Sequence, residues 1–159
     1  MPKTLKHGDT GHRNLFARSS DDGNIETVAI DWALTGISSI GEDLTPLVAS
    51  TVLWFGLPPT QLTELDQVTF EGYLRGLKEA GWRGDPQAVR LGYTAYTALQ
   101  FGLGLTRLPE LLALDEPGRL RAEALMGRSI EEVIDNTVSV RQFIRDRADE
   151  ARALMRKLK

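Results

Sequence analysis

Hydrophobic and polar positions in the first fifth of the chain predict a short β-hairpin. Residues 15–18 and 26–30 are runs rich in aromatic, aliphatic or β-branched side chains, and residues 19–24 between them are dense in turn formers. An Asp-Gly pair within this turn supplies the positive φ angle that a tight hairpin needs. The second strand would deliver Asp31 at its carboxyl end.

Beyond the hairpin, the apolar positions follow helical spacing. Residues 42–55 predict a largely apolar helix, which a glycine and two prolines close. Residues 60–80 predict a second helix that stops at Gly81, with its apolar side chains recurring three and four positions apart. These side chains are Phe70, Tyr73, Leu74 and Leu77.

The second half of the chain predicts further helices. Asp85 and the following proline are typical of a helix start, and this helix should run to about residue 105. A short helix at 109–114 and a break at 115–118 follow, and then Ser129 and Glu132 form a capping box for a long final helix. The inward side chains of the helix from Asp85 are expected to be Leu91, Ala95, Ala98 and Leu99.

Composition narrows the class of protein. The 159 residues carry a net charge of −3, which gives no overall attraction to nucleic acid or to an anionic membrane. There is no cysteine, and no apolar stretch is long enough to span a bilayer. We therefore expect one mainly α domain with a small β-hairpin, located in the cytoplasm, with no nucleic-acid or membrane partner.

Candidate chemistry is concentrated before and after the hairpin. Asp9 is followed by Asn14 five residues later, and Asp31 comes at the end of the second predicted strand. This order is typical of a phosphoryl-transfer centre, where catalysis is mainly positioning and electrostatics. Asp9 would align the attacking hydroxyl and accept its proton. Asn14 and Asp31 would supply the hard oxygen ligands that magnesium prefers.

The same segment allows a different interpretation. His7, Asp9, His12 and Asp31 could together hold zinc or iron in a metal-dependent hydrolase. The chain has no third histidine, so such a site would be rich in carboxylates. The alternative role for His7 is to brace the loop, with His12 as a partly exposed loop residue.

Three short motifs resemble those of the aminoglycoside phosphotransferase and choline kinase-like superfamily. They are His-Gly-Asp-x4-Asn-Leu at 7–15, Ala-Ile-Asp-Trp at 29–32 and Gly-x-Asp-Leu at 41–44. The resemblance extends to a subgroup of bacterial small-molecule phosphotransferases and covers most of the chain. It implies that Asp9 is the catalytic residue and that Asn14 and Asp31 are magnesium ligands. It also implies that His7 is a scaffold and Asp43 an anchor for the catalytic loop.

The resemblance also implies a fold and partners. The family has a two-lobed, protein-kinase-like α+β fold that uses ATP and Mg²⁺ to phosphorylate a hydroxyl of a small molecule. The present chain resembles the C-terminal part of its larger lobe, with the catalytic loop, hairpin and metal loop at 1–41 and a helical subdomain at 42–159. The sequence contains no Gly-rich nucleotide loop and no strand lysine. We therefore expect an N-terminal lobe to be missing and the isolated chain to have negligible kinase activity.

A second functional class stays open. The chain could be a non-catalytic helical module for binding or assembly, because apolar surface that an absent lobe leaves uncovered favours self-association. The acceptor is not identified by these motifs. Asp66, Glu71 and Glu79 could attract a cationic acceptor, although acidic residues on helices are usually solvated.

Overall fold

The predicted hairpin is present. The computed structural model of the chain describes residues 1–102 and 108–157. Strands β2 (Leu15–Ser19) and β3 (Ile25–Ala29) pair antiparallel, with Leu15 opposite Ala29. Gly23 in the connecting turn has φ of +82°, as the Asp-Gly pair predicts. Within the described residues the chain is mainly helical, which confirms the predicted fold class in its coarser form.

The description of a single hairpin is incomplete, because a second antiparallel ribbon is present. Strand β1 (Lys3–Lys6) pairs with β4 (Gly36–Ser39), and Leu5 lies opposite Ile37. Each strand has only four residues, which is too short for a clear alternation of polar and apolar positions. The two ribbons form separate sheets. Pairing of β1 with β4 brings together the two ends of the intervening segment, which carries Asp9, Asn14 and Asp31.

Three helices follow the ribbon. Helix α1 is a π-helical turn, Pro46–Ser50, continued by Thr51–Leu53. Helix α2 is Leu62–Glu79, and α3 is Pro86–Tyr96, continued by a π-helical turn at Thr97–Phe101. The Asp85 side chain accepts a hydrogen bond from the Gln87 amide, so the predicted N-cap is confirmed. The predicted extension of this helix to residue 105 lies partly outside the described residues.

The remaining helices are α4 (Leu108–Leu112), α5 (Glu116–Met126) and α6 (Ile130–Lys157). The predicted break at 115–118 is present but lies at 113–115, so only its residues 116–118 are wrong, since they belong to α5. Asp115 accepts a hydrogen bond from the Gly118 amide and caps α5, because Asp followed by proline in the first turn begins a helix as readily as it ends one.

The capping box of α6 is confirmed by both of its hydrogen bonds. The Glu132 amide donates to Ser129 Oγ over 3.2 Å, and the Ser129 amide donates to Glu132 Oε2 over 3.1 Å. This start is followed by 28 residues of continuous helix, the longest element among the described residues. Helices α1, α3, α4 and α5 all pack against α6, whereas α2 packs mainly on α1.

The hydrophobic core lies between α6 and helices α1, α2 and α3. Its buried members are Leu44, Val48, Val52, Leu62, Tyr93, Val140, Phe143 and Ile144. The predicted inward position of Leu99 is wrong, since its side chain is 64% exposed. The buried face of α3 instead contains Val89, Gly92 and Tyr93. The absence of a side chain at Gly92 lets the backbone at Ile40 approach this face closely.

The β1–β4 ribbon docks on α3 through close backbone contact. A Cβ built on Gly92 would lie only 2.1 Å from the Ile40 carbonyl oxygen, and one on Gly41 would lie 2.4 Å from the Val89 carbonyl oxygen. Gly41 also has φ of +94°, which side chains disfavour. These glycines hold the end of the ribbon directly against the helix.

Lys6 and Glu42 tie the ribbon to the helical body. Lys6 Nζ donates to Glu42 Oε2 over 3.3 Å and to the Tyr96 hydroxyl over 3.4 Å. Burial raises the pKa of the Glu42 carboxyl, but the Ser38 side chain, the Ser39 amide and Lys6 more than offset it, so the pKa lies below its ordinary value. Burial alone would lower the pKa of Lys6, but its hydrogen bonds to Glu42 and Tyr96 outweigh this effect. The pKa of Lys6 therefore lies above its ordinary value.

None of the helices in the described part of the chain combines the length and apolar character needed to cross a bilayer.

Candidate functional site

Asp43 holds the loop that follows β1. Its two carboxylate oxygens accept separate hydrogen bonds, Oδ2 from the His7 amide and Oδ1 from the Gly8 amide, each over 2.9 Å. The Thr10 hydroxyl donates to the Asp43 carbonyl oxygen. A carboxylate that accepts two backbone amides fixes both the position and the direction of a loop. This is the geometry that the anchoring role expected of Asp43 requires.

His7 connects the two segments of the site. The side chain is only 4% exposed, and its Nε2 lies 2.8 Å from the Ile30 carbonyl oxygen. The Asp9 amide donates to His7 Nδ1 over 3.3 Å, so Nδ1 is the acceptor and Nε2 carries the proton that Ile30 accepts. Trp32 packs on the ring at a centroid distance of 4.4 Å. Both ring nitrogens are engaged by backbone groups, which suits a scaffold role.

Asn14 contacts Asp9 directly. Its Nδ2 donates to the Asp9 backbone oxygen and to Asp9 Oδ2, in both cases over 2.9 Å. Because both partners are oxygen acceptors, the amide can be oriented in only one way, with the nitrogen facing Asp9. Asn14 Oδ1 has no hydrogen-bond partner among the described residues. Asp9 Oδ1 has none there either, so each side chain keeps one free oxygen.

Asp31 lies at the same end of the hairpin as Asn14. The Ile30 amide donates to the Asn14 carbonyl oxygen over 3.0 Å, which extends the β2–β3 pairing by one position and places Asp31 directly beyond it. Asp31 has φ of +61°, a conformation that costs a residue other than glycine of the order of 1–3 kcal/mol. Its carboxylate is exposed and makes no hydrogen bond or ion pair within the described residues.

The donor set fits magnesium better than zinc. Asp9, Asn14 and Asp31 offer carboxylate and amide oxygens, which are the ligands that a hard cation takes. In residues 1–102 and 108–157, no group of three or more His, Asp or Glu side chains is arranged to hold a metal ion. The set of four suggested for a hydrolase would also need a nitrogen of His7 to leave its backbone partner.

His12 lies on the other side of the loop, against the end of α1. It is exposed, and a Cβ built on Gly56 would lie 3.0 Å from its Cε1 atom. The neighbouring Arg13 places its guanidinium 5.6 Å from the ring of Trp54. The loop that carries Asp9 is therefore in contact with the residues that end α1.

Of the three acidic side chains suggested for attracting an acceptor, Glu71 and Glu79 are exposed, but Asp66 binds arginines in the interior. Asp66 is 6% exposed and binds Arg90 and Arg147 in the interior, so it does not face solvent. It shares a helical face with the buried Leu62 and the partly buried Phe70, and this spacing is the signal that could have placed it inside.

A comparison of the chain with protein-family models, with curated proteins and with solved structures finds no match. Its function therefore has to be inferred from the geometry of its own side chains.

Proposed function

We propose that residues 7–43 form the acceptor side of a phosphoryl-transfer centre, which transfers the terminal phosphoryl group of ATP to a hydroxyl of a small molecule. The observation that carries this proposal is the pair of hydrogen bonds from Asn14 Nδ2 to Asp9. They hold the Asp9 carboxylate at a fixed orientation while one oxygen of each side chain stays free. This arrangement is what a positioned base beside a metal ligand requires.

Asp9 would accept the hydrogen bond of the attacking hydroxyl at its free Oδ1. The carboxylate would align the oxygen for in-line attack. It would take up the proton as the new bond to phosphorus forms and the bond from that phosphorus to the departing ADP oxygen breaks. The loop is suited to this because two side chains fix its backbone. Asp43 accepts hydrogen bonds from two of its amides, and His7 Nδ1 accepts one from the amide of Asp9. A base held in this way loses little freedom on binding the acceptor.

Asn14 Oδ1 and Asp31 would hold Mg²⁺ on the nucleotide phosphates. The ion, when bound, supplies positive charge at the oxygens of the transferred group. The left-handed backbone at Asp31 supports this role, because strained residues concentrate at functional positions. The exposed carboxylate is also free of competing partners among the described residues.

The nucleotide itself would be bound mainly by groups that lie outside these 159 residues. The sequence has no Gly-rich phosphate loop and no strand lysine, and the family that the motifs resemble carries both in an N-terminal lobe. That lobe is what this proposal requires in addition, since a second copy of the same sequence would supply neither element. For the pure chain we expect transfer from ATP and Mg²⁺ to remain at the level of an Asp9→Asn variant. Robust transfer by the pure chain would contradict the need for a partner.

Manganese provides a test that does not depend on activity, because paramagnetic Mn²⁺ replaces Mg²⁺ and broadens nearby amide signals. We expect the amide signals of Asn14 and Asp31 to broaden first in a titration with MnCl₂. Asp31→Asn should abolish this effect. Asp22→Asn, at the opposite end of the hairpin, makes the same charge change and should leave it intact. Broadening centred on Asp22, or unchanged by Asp31→Asn, would contradict the metal site.

A second candidate function is assembly, and the exposed ribbon favours it. Leu5 is 58% exposed, Leu34 64% and Ile37 69%, although Leu5 and Ile37 are cross-strand neighbours. A two-stranded ribbon with an uncovered apolar face is marginal alone and gains stability from a partner. We expect a molar mass that rises with concentration in light scattering, and that Ile37→Lys suppresses the rise. A constant monomer mass for the unchanged chain would exclude self-association by this surface.

A further inference from the structure

One face of helix α1 runs beside the loop that carries Asp9. The Trp54 amide donates to the Ser50 carbonyl oxygen over 2.9 Å, so these two residues lie one turn apart on the same face. Ser50 lies near the free oxygen of Asp9, because a Cβ built on Gly11 would be 3.5 Å from Ser50 Oγ and 3.7 Å from Asp9 Oδ1. This face therefore begins beside the proposed base and ends at Trp54, ~5 Å further along.

Arg13 occupies the far end of this face. Its guanidinium carbon lies 5.6 Å from the ring centre of Trp54, whose side chain is 61% exposed. An aromatic ring holds a guanidinium through its face and leaves the N–H groups available. Arg13 makes no hydrogen bond or ion pair with the described residues, so these donors have no partner there. A positive group with free donors is thus held in the same short turn as Asn14, which contacts Asp9.

The free donors of Arg13 fit an oxyanion. A guanidinium binds a carboxylate or a phosphate through parallel N–H groups, and it repels a cationic group at the same place. Such an oxyanion could come from the acceptor or from the phosphates of the nucleotide. The proposed metal ligands Asn14 and Asp31 lie at the end of the hairpin, whereas Arg13 rests on Trp54 at the end of α1. This position favours the acceptor.

We propose that the acceptor is an anionic hydroxy compound, whose hydroxyl binds Asp9 Oδ1 and whose carboxylate or phosphate binds Arg13 on the ring of Trp54. This inference rests on the proposed function, because Asp9 defines where the hydroxyl lies. Arg13 is then a specificity-determining residue that selects the acceptor. A separation of about one helical turn suits a compound in which a few carbon atoms lie between the two groups.

Three probes of the same length test the charge of the acceptor. 4-Hydroxybutanoate is an anion, 1,4-butanediol is neutral and 4-amino-1-butanol is a cation. Nuclear magnetic resonance can follow their binding, because Trp32, Trp54 and Trp82 give three indole signals. We expect the anion to shift the Trp54 indole and the Gly11 amide, with Trp82 unchanged. Its Kd should be at least about ten-fold below that of the other two probes.

Two arginine variants locate the anionic end of the probe. Arg13→Gln removes the positive charge and should weaken 4-hydroxybutanoate about ten-fold, while the affinity for the diol is kept. Arg145→Gln removes the same charge from an exposed position of α6 and should have no effect. Butanoate, which lacks the hydroxyl, should shift Trp54 and leave Gly11 unchanged. Circular dichroism of each variant verifies that it is folded.

Tripolyphosphate with Mg²⁺ represents the nucleotide phosphates and separates the two sources of an oxyanion. We expect it to leave the Trp54 signal unchanged and not to compete with 4-hydroxybutanoate. Competition at Trp54 would assign Arg13 to the nucleotide and overturn the proposal.

Several other results would also overturn the proposal. They are equal affinity for the three probes, tighter binding of the amine, and an anion affinity that survives Arg13→Gln. A shift of Trp54 by 4-hydroxybutanoate without a shift of Gly11 would place the hydroxyl away from Asp9. No shift at about 50 mM would exclude the anion site. The manganese titration fails separately: loss of the metal site with anion binding kept would contradict the proposed function, and the reverse would contradict this inference alone.

Discussion

Replacing Asp66 with Asn would remove the charge that two interior arginines share. Arg90 binds the carboxylate with both terminal nitrogens, Nη1 to Oδ1 over 3.1 Å and Nη2 to Oδ2 over 2.8 Å. Arg147 Nη1 donates to Oδ2 over 2.6 Å. Glu150 is the second acid of the group and lies 2.7 Å from Arg90 Nε. Two positive and two negative charges are therefore balanced where α2, α3 and α6 meet.

The size of the expected loss in unfolding free energy follows from the burial of these ion pairs. The Asp66 side chain is 8% exposed, and those of Arg90 and Arg147 are 16% and 18% exposed. Breaking a buried ion pair by removing one partner costs about 3–5 kcal/mol, because the remaining charge is left without compensation. Glu150 is 31% exposed and can take over part of the interaction, which favours the lower end. We expect a loss of about 3 kcal/mol, a large part of a total stability of about 5–15 kcal/mol.

Urea unfolding followed by circular dichroism at 222 nm measures this loss, since the chain is mainly helical. The matched control is Asp149→Asn, whose ion pair with Arg152 has side chains 68% and 63% exposed. We expect that change to cost less than about 0.5 kcal/mol. A loss below about 1 kcal/mol for Asp66→Asn, at an unchanged m-value, would show that the arginines are not held as described.

Three further predictions concern the core and the ribbon. Because the pKa of Glu42 is lowered, the stabilising effect of its carboxylate is present above pH 4.5 and disappears as pH falls through the folded pKa. Glu42→Gln should therefore make the unfolding free energy depend less on pH in the acid range. An unchanged slope would contradict this. The Tyr93 hydroxyl is buried and has no hydrogen-bond partner among the described residues. Tyr93→Phe should therefore change the unfolding free energy by less than about 1 kcal/mol, and a loss above about 2 kcal/mol would show that the hydroxyl is bonded. Gly92→Ala should lower the unfolding free energy measured in urea by about 2 kcal/mol, because the added Cβ would meet the Ile40 carbonyl oxygen. Gly76→Ala is the control, since a Cβ added there meets no described atom within 4 Å, and it should not destabilise the chain. Equal effects of the two changes would argue against the close contact.

Features that neighbouring residues determine were predictable from the sequence. The β2–β3 hairpin depends on a turn with a glycine at positive φ, and the start of α6 depends on Ser129 and Glu132 alone. The proximity of Asn14 to Asp9 is of the same kind, since one turn separates them. Local chemistry decides these elements, and tertiary packing does not alter them.

Features that distant residues determine were missed for the opposite reason. The β1–β4 ribbon pairs two four-residue strands from either side of the hairpin, and neither strand has a pattern of its own. The start of α5 was mistaken for a break because Asp and proline occur at both ends of helices. Asp66 meets Arg147 across 81 residues, and Asn136 meets Val52 across 84. Burial of these polar groups follows from packing that a single sequence does not reveal.

The β1–β4 ribbon has a consequence for the kinetics of the site. Asp9, Asn14 and Asp31 all lie on the segment between its two strands, so separation of these strands would release them together as one cooperative unit. Pairing between two strands of only four residues is weak. The closed segment is then in exchange with an open form in which β1 and β4 are apart. The rate of amide hydrogen exchange at His7 and Gly8 would report how often the ribbon opens. A partner strand added to either edge would lengthen the lifetime of the closed form without contacting Asp9, Asn14 or Asp31.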